Sequence, residues 1–177
     1  MTKFSGYSNP LSHLRFSRFK LEGVEYNSVQ QFLTMKKCQL AGDKEAEAQA
    51  KTSNPCQCRA LKINGLDEDK WKEEVSDLLQ LALKHKFIQN TGPRKYLLKT
   101  GDSKLLFCDH EDPFLGTGFP LIDSHQTYPG KNLLGEILME TRSELMKNPG
   151  YMEEIAETGR KRKQEAEEAV DKKLKIA

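Results

Sequence analysis

Along the first 150 residues the apolar positions follow two different periods. In Phe19-Lys20-Leu21-Glu22-Gly23-Val24-Glu25-Tyr26 they alternate on both sides of a Glu-Gly turn, which predicts a small, half-buried antiparallel hairpin. From Ser28 the period lengthens. Val29, Phe32, Leu33 and Leu40 recur at helical spacing, Ser28 and Gln31 are spaced as a capping box, and Gly42 supplies a stop. Residues 43–51 are rich in Ala, Glu and Lys and predict a second, exposed helix, ended by Asn54-Pro55. Asp67 caps a longer helix with the stripe Trp71, Val75, Leu78, Leu79, Ala82 and Leu83, stopping near Asn90 before Thr91-Gly92-Pro93. This is the expected central core helix. A helical turn at 96–98, a strand at 104–108 and an amphipathic helix over 132–147 complete the pattern, with Asn148-Pro149-Gly150 as the last stop.

These elements make an α+β, helix-rich single domain over 1–150 with one small antiparallel hairpin. The N-terminal residues read as irregular and aromatic. The stretch 109–130, rich in Pro, Gly and Asp, is long for a connection in a compact domain, and loops of that length are often functional. Residues 151–177 form a charged C-terminal extension without an apolar stripe, expected as an exposed, fraying helix or as disorder.

Composition narrows the function classes. The 177 residues carry 28 Lys and Arg against 26 Asp and Glu, a net charge of +2, so there is no global basic bias of the kind a dedicated nucleic-acid backbone binder shows. The sequence contains no membrane span or signal-like start, which leads to the expectation of an intracellular, cytoplasmic protein without a membrane partner. The run Arg160-Lys161-Arg162-Lys163 reads either as a solvated helix face or as a nuclear address or nucleic-acid contact. Cys38, Cys56, Cys58 and Cys108 read as reduced thiols. One CxC and an isolated Cys108-Asp109-His110 fall short of ligand spacing, so no metal is expected. His13, His85, His110 and His125 show no triad spacing and default to surface or loop positions.

Spacing alone leaves the candidate chemistry open. Lys37 is either a solvated charge or an amine turned into a cleft. Gln30, seven residues earlier, lies about 20° from it around the helix and ~10 Å along it, so the two can line one cleft. Gly116-Thr117-Gly118 is a turn or a close approach of backbone to ligand. Gly130-Lys131-Asn132-Leu133-Leu134-Gly135 is a helix cap or an anion site.

The order of these pieces resembles the NADAR (YbiA-like) family. Leu11-Ser12-His13-Leu14, then Gly23-Val24-Glu25-Tyr26-Asn27-Ser28-Val29-Gln30-Gln31-Phe32, then Lys37, are similar to its opening blocks, in which an SNF motif, a Gly/Tyr/Ser-Val-Glu-His block and a Lys follow in that order. Trp71, Lys86-Phe87 with Gln89-Asn90, Leu97-Leu98 before Thr100-Gly101-Asp102, Asp112 before Gly116-Thr117-Gly118, and Gly130 to Gly135 with Leu138-Met139 and Arg142 resemble the later blocks. The likeness spans about residues 4–147.

The resemblance implies an N-glycosidase without a cofactor. Lys37 would be the catalytic amine that attacks the anomeric carbon and holds the opened ribose as a Schiff base, and Asp112 its acid/base partner. Ser12, Gln30, Gly116, Gly118, Asn132 and Gly135 would contact substrate, Asn132 and its helix holding ribose or phosphate oxygens. Trp71 or Phe114 would supply an aromatic face. The implied substrate is ADP-ribosylated guanine, in nucleic acid or as a guanosine nucleotide. The alternatives are ribosylated pyrimidine intermediates of riboflavin synthesis, or an inactive ADP-ribose or nucleic-acid binding module. The chain departs from the family pattern at Gln30 for Glu, Gln31 for His, Leu115 for Trp and Phe107 for an acidic residue. These changes bear more on substrate choice than on the nucleophile.

Overall fold

The structure, a computed structural model, describes residues 1–121, 127–157, 160, 164 and 165. In chain order the elements are β1 (Thr2–Phe4), β2 (Phe19–Leu21), β3 (Val24–Tyr26), α1 (Val29–Ala41), α2 (Lys44–Thr52), α3 (Pro55–Ala60), α4 (Glu68–Gln89), α5 (Thr91–Lys99), β4 (Leu105–Phe107) and α6 (Leu133–Met146). The α+β, helix-rich reading holds. β2 and β3 form the expected hairpin, Phe19 opposite Tyr26, with Glu22 and Gly23 both at positive φ in the turn.

The apolar stripe of α4 sets the architecture. Trp71, Val75, Leu79, Ala82, Leu83 and Phe87 are buried, and α1, α5, α6 and β2 pack around this helix. Asp67 caps it as expected, accepting the amides of Asp69 and Lys70. Ser28 caps α1 by accepting the Gln31 amide at 3.0 Å, and Gly42 ends that helix at φ 72°. The Gln31 side chain, however, accepts the Asn27 amide and donates to the Ala50 carbonyl at 2.9 Å. It fastens α2 against α1.

Three local readings change. Asn54-Pro55 ends α2 but also begins α3, through a true capping box between Asn54 and Gln57 with Pro at the first turn. The turn at 96–98 is part of the nine-residue α5, which starts at Thr91 directly after α4. The N-terminus is not irregular: β1 runs parallel to β4, with Phe4 opposite Phe107 and their rings 5.4 Å apart.

The stop at Asn148-Pro149-Gly150 lasts only two residues, and backbone over 149–157 is again helical. This part of the extension is docked. Arg94 of α5, almost wholly buried, lies over the Tyr151 ring at 4.3 Å and pairs with the Glu154 carboxylate at 2.9 Å, while Ile155 packs on the core. Truncation after Gly150 removes these partners from a buried guanidinium and is expected to lower the melting temperature by several degrees. Arg94→Met in the truncated chain should recover part of the loss; a truncated chain melting like the full one would show that the docked turns carry no stability.

Candidate functional site

One cavity of about 340 Å³ opens between α1, the first half of α4 and the loop that follows β4. That is at the lower end of the ~300–1,000 Å³ typical of small-molecule sites. α1 contributes Gln30, Leu33 and Lys37, spaced so that one helix face looks into it. α4 contributes Glu68, Trp71, Lys72 and Val75 from its own inner face, and the loop adds Glu111, Asp112, Phe114 and Leu115. His13 and Arg59 complete the lining. Lys37, Gln30, Trp71, Asp112 and Phe114 are therefore brought to one place.

Lys37 is half buried, and its Nζ lies 5.0 Å from the centroid of the Trp71 ring. Among the described residues no hydrogen bond or ion pair ties up that nitrogen, so the amine faces the cavity uncommitted. Asp112 is held differently. Its Oδ1 accepts the Phe114 amide at 3.1 Å and the Leu115 amide at 2.8 Å, which fixes the carboxylate and leaves Oδ2 without a partner among the described residues. Gln30 donates from Nε2 to Thr34 at 3.0 Å, and its side chain also hydrogen-bonds the His13 imidazole. Arg59 is braced by Asp109 at 2.7 Å and Glu111 at 3.0 Å.

Ser12, Gly116, Gly118, Asn132 and Gly135 are not among the lining residues; the structure gives them the work of holding the walls. Asn132 is wholly buried, its Oδ1 accepting the Phe107 amide and its Nδ2 donating to the Leu105 carbonyl, both at 2.9 Å. Full burial sets the side chain behind the cavity wall, away from the ribose or phosphate contact that the resemblance implies for it. A Cβ on Gly135 would stand 2.3 Å from the Leu105 carbonyl oxygen, so this glycine lets α6 touch β4. Gly116 is enclosed by the carbonyls of Asp112 and Phe107. Residues 113–116 are joined to residues 131–134, at the entry to α6, through Lys131 to Pro113, Asn132 to Gly116 and Leu134 to Leu115 amide–carbonyl bonds.

Ser12 is buried as well. Its Oγ accepts the Leu14 amide, and its carbonyl accepts the Lys86 ammonium at 2.7 Å. Lys86 itself is 0% exposed, and burial pushes its pKa down to about 7, with Arg15 adding repulsion.

His13 overturns the surface default. It is 3% exposed, edge-on to Phe107 at 5.2 Å, and its pKa falls to about 3, chiefly through burial, with Lys86, Arg59 and Lys37 adding repulsion and a side-chain hydrogen bond to Gln30 opposing. Its place inside the Ser12-His13-Leu14 block was the signal that spacing between histidines could not give. Arg59 is not legible without α3, and Glu68 and Lys72 flank Trp71 on the α4 face but carry no motif of their own. His125 and most of the basic run at 160–163 lie outside the described residues. Among the described residues no three or more His, Cys, Asp or Glu side chains converge on a metal position, and no helix is long and apolar enough to cross a membrane.

These shifts fix a pH dependence of stability. Between about 3 and 6.5 the unfolded chain binds a proton at His13 that the folded chain refuses, and between about 7 and 10.5 the same holds at Lys86. Stability from both groups therefore rises with pH. Above about 8.5, where thiols ionise, burial opposes this by holding the Cys58 thiol up to about 11. The melting temperature is expected to climb from pH 4.5 to 6.5 and again from 7 to 8.5. His13→Phe should flatten the first rise and Lys86→Met the second; parallel curves for variants and wild type would refute the assignment.

A family model described as NADAR domain matches residues 2–146. Among curated proteins, the chain is 28% identical over 130 residues to an N-glycosidase of Acanthamoeba polyphaga mimivirus, covering 70% of this chain and 76% of that one. It is 37% identical over 81 residues to a riboflavin biosynthesis protein of Vibrio vulnificus, 46% of this chain but 20% of that longer protein. Among solved structures, the E. coli protein YbiA, determined by NMR, superposes with a TM-score of 0.65 at 23% identity, covering 82% of this chain and 85% of that one.

Proposed function

The chain belongs to the NADAR domain family, and we propose that it is an N-glycosidase that removes ADP-ribose from ADP-ribosylated guanine, in nucleic acid or in a guanosine nucleotide. The observation that carries this reading is the meeting of an uncommitted Lys37 amine and a fixed Asp112 carboxylate in one cavity with two aromatic faces, Trp71 and Phe114. Likeness to the mimivirus N-glycosidase supports the bond type.

In the proposed reaction the free Lys37 amine forms a bond to the anomeric carbon, and the carbon–nitrogen bond to guanine breaks with its electron pair on the base nitrogen. Asp112 takes the proton lost by the amine and passes it to the leaving base. The sugar ring opens to an imine on Lys37. Water then hydrolyses the imine, releasing ADP-ribose and restoring the amine. Gln30 can hydrogen-bond the sugar but carries no proton in this scheme.

A second reading, cleavage of a ribosylated pyrimidine intermediate of riboflavin synthesis, draws on the stretch shared with the Vibrio protein and on the small cavity. Incubation with an ADP-ribosylated guanine oligonucleotide and, separately, with the pyrimidine intermediates, followed by mass identification of the freed base, decides between them. Release of unmodified guanine-containing oligonucleotide is expected. Cleavage of the pyrimidine substrate alone would transfer the assignment, and cleavage of neither would leave a binding module.

A further inference from the structure

We propose that His13 is a specificity-determining residue of this cavity, its imidazole, oriented by the Gln30 side chain that hydrogen-bonds it, pairing with a hydroxyl of the substrate ribose. The proposal rests on the N-glycosidase reading but not on the choice between its substrates, because both present a ribose at the bond that breaks.

Four observations support it. His13 lines the cavity, yet its Nδ1 is buried and has no hydrogen-bond partner. A buried polar atom left unpaired costs about 1–3 kcal/mol, and native proteins keep few of them. The ring is also held by the Phe107 edge contact and by the Gln30 side chain, and the backbone that carries it by Lys86 on the Ser12 carbonyl and by the Gln30 backbone amide, which donates to the His13 carbonyl at 3.0 Å. A ring fixed this firmly, its Nδ1 without a partner, is prepared for one supplied by a ligand.

Third, the ring is neutral at physiological pH, as burial and three nearby cations require, and a neutral imidazole offers one donor and one acceptor. With the donor side engaged by Gln30, the unpaired Nδ1 is left as an acceptor, suited to a sugar hydroxyl rather than to an anion. Fourth, Gln30 and Lys37 share one face of α1. When the anomeric carbon lies against the Lys37 amine, the adjoining hydroxyls fall toward the groups on that face.

The test is calorimetric titration of ADP-ribose and of ribose 5-phosphate into the full-length wild type, His13→Phe and His13→Gln, with ¹⁵N-histidine spectra of the same samples. His13→Phe keeps the ring contact with Phe107. It should melt at or above the wild-type temperature, because an unpaired polar atom is gone, while binding the better probe at least tenfold more weakly. A merely structural histidine would lose stability instead. His13→Gln, which keeps a donor and an acceptor, should stay within a few-fold of wild type and covers the case in which the Phe variant does not fold. In the wild type, the imidazole resonance missing from both variants should move on saturation. Affinity of His13→Phe within twofold of wild type, a resonance that stays in place, or binding of neither probe would overturn the proposal. Weakened binding by His13→Phe beside a wild type that cleaves no glycoside would sustain the His13 role and remove the N-glycosidase reading.

Discussion

Lys37→Arg is expected to abolish cleavage although the positive charge is kept, with a loss on the order of 10³-fold or more in kcat/KM. Two roles for a cation at this place differ in protonation state. A clamp on phosphate works as the ammonium, whereas a Schiff base needs the free amine and leaves an imine that borohydride reduces to a stable adduct. Borohydride added during turnover should therefore attach the sugar moiety to Lys37, seen as a mass increment on the peptide that carries it. The structure favours a clean experiment, because Lys37 touches the Trp71 face and makes no hydrogen bond or ion pair among the described residues. Its replacement should leave the melting temperature close to wild type. Gln30→Glu should retain activity with a changed pH profile. A Lys37→Arg protein that turns over at near wild-type rate would exclude the covalent route and leave Asp112 to activate water.

Asn132→Ala is expected to be the most destabilising single change at the site. It strips the partner from the Phe107 amide and from the Leu105 carbonyl, at about 1–3 kcal/mol each. It also places Ala at φ 54°, a left-handed conformation that costs about 1–2 kcal/mol and that Asn tolerates better. The sum, roughly 3–8 kcal/mol, is a large share of the ~5–15 kcal/mol that separates folded from unfolded protein. Denaturant melts should show it directly. Asn132→Gly relieves the backbone strain and should lose less than Asn132→Ala. Equal stability of Asn132→Ala and wild type would mean that water replaces both hydrogen bonds.

The sequence made the strongly periodic parts readable. The stripe of α4, the Ser28 cap and Gly42 stop of α1, and the Glu22-Gly23 turn are local patterns whose physics acts within a few residues. α3 escaped because Asn54-Pro55 serves both as breaker and as cap, and a breaker is the commoner meaning. β1 escaped because a three-residue strand is defined by a partner a hundred positions away. At the site, Lys37, Gln30, Trp71, Asp112 and Phe114 were legible through the family blocks, and the cavity unites them. Asn132 and Gly135 stand in those same blocks for a different reason. A motif records which residues are needed, not whether they meet the substrate or hold the wall behind it. Burial separates the two roles, and burial is not written in spacing.

The parallel pairing of β1 with β4 has a consequence for the order of assembly. Thr2–Phe4 can find its place only after residues 105–107 exist, so during synthesis the first strand waits for more than half the chain. The entropy of closing so long a loop is offset only once the intervening helices have collapsed and shortened it. His13 lies nine residues beyond that strand and depends on Lys86 for its position, so the His13 side of the cavity is completed late, when both ends of the domain are present. A residue tag fused close to Met1 would burden this step rather than the helical core, and its effect would appear in refolding rate before it appeared in the melting temperature.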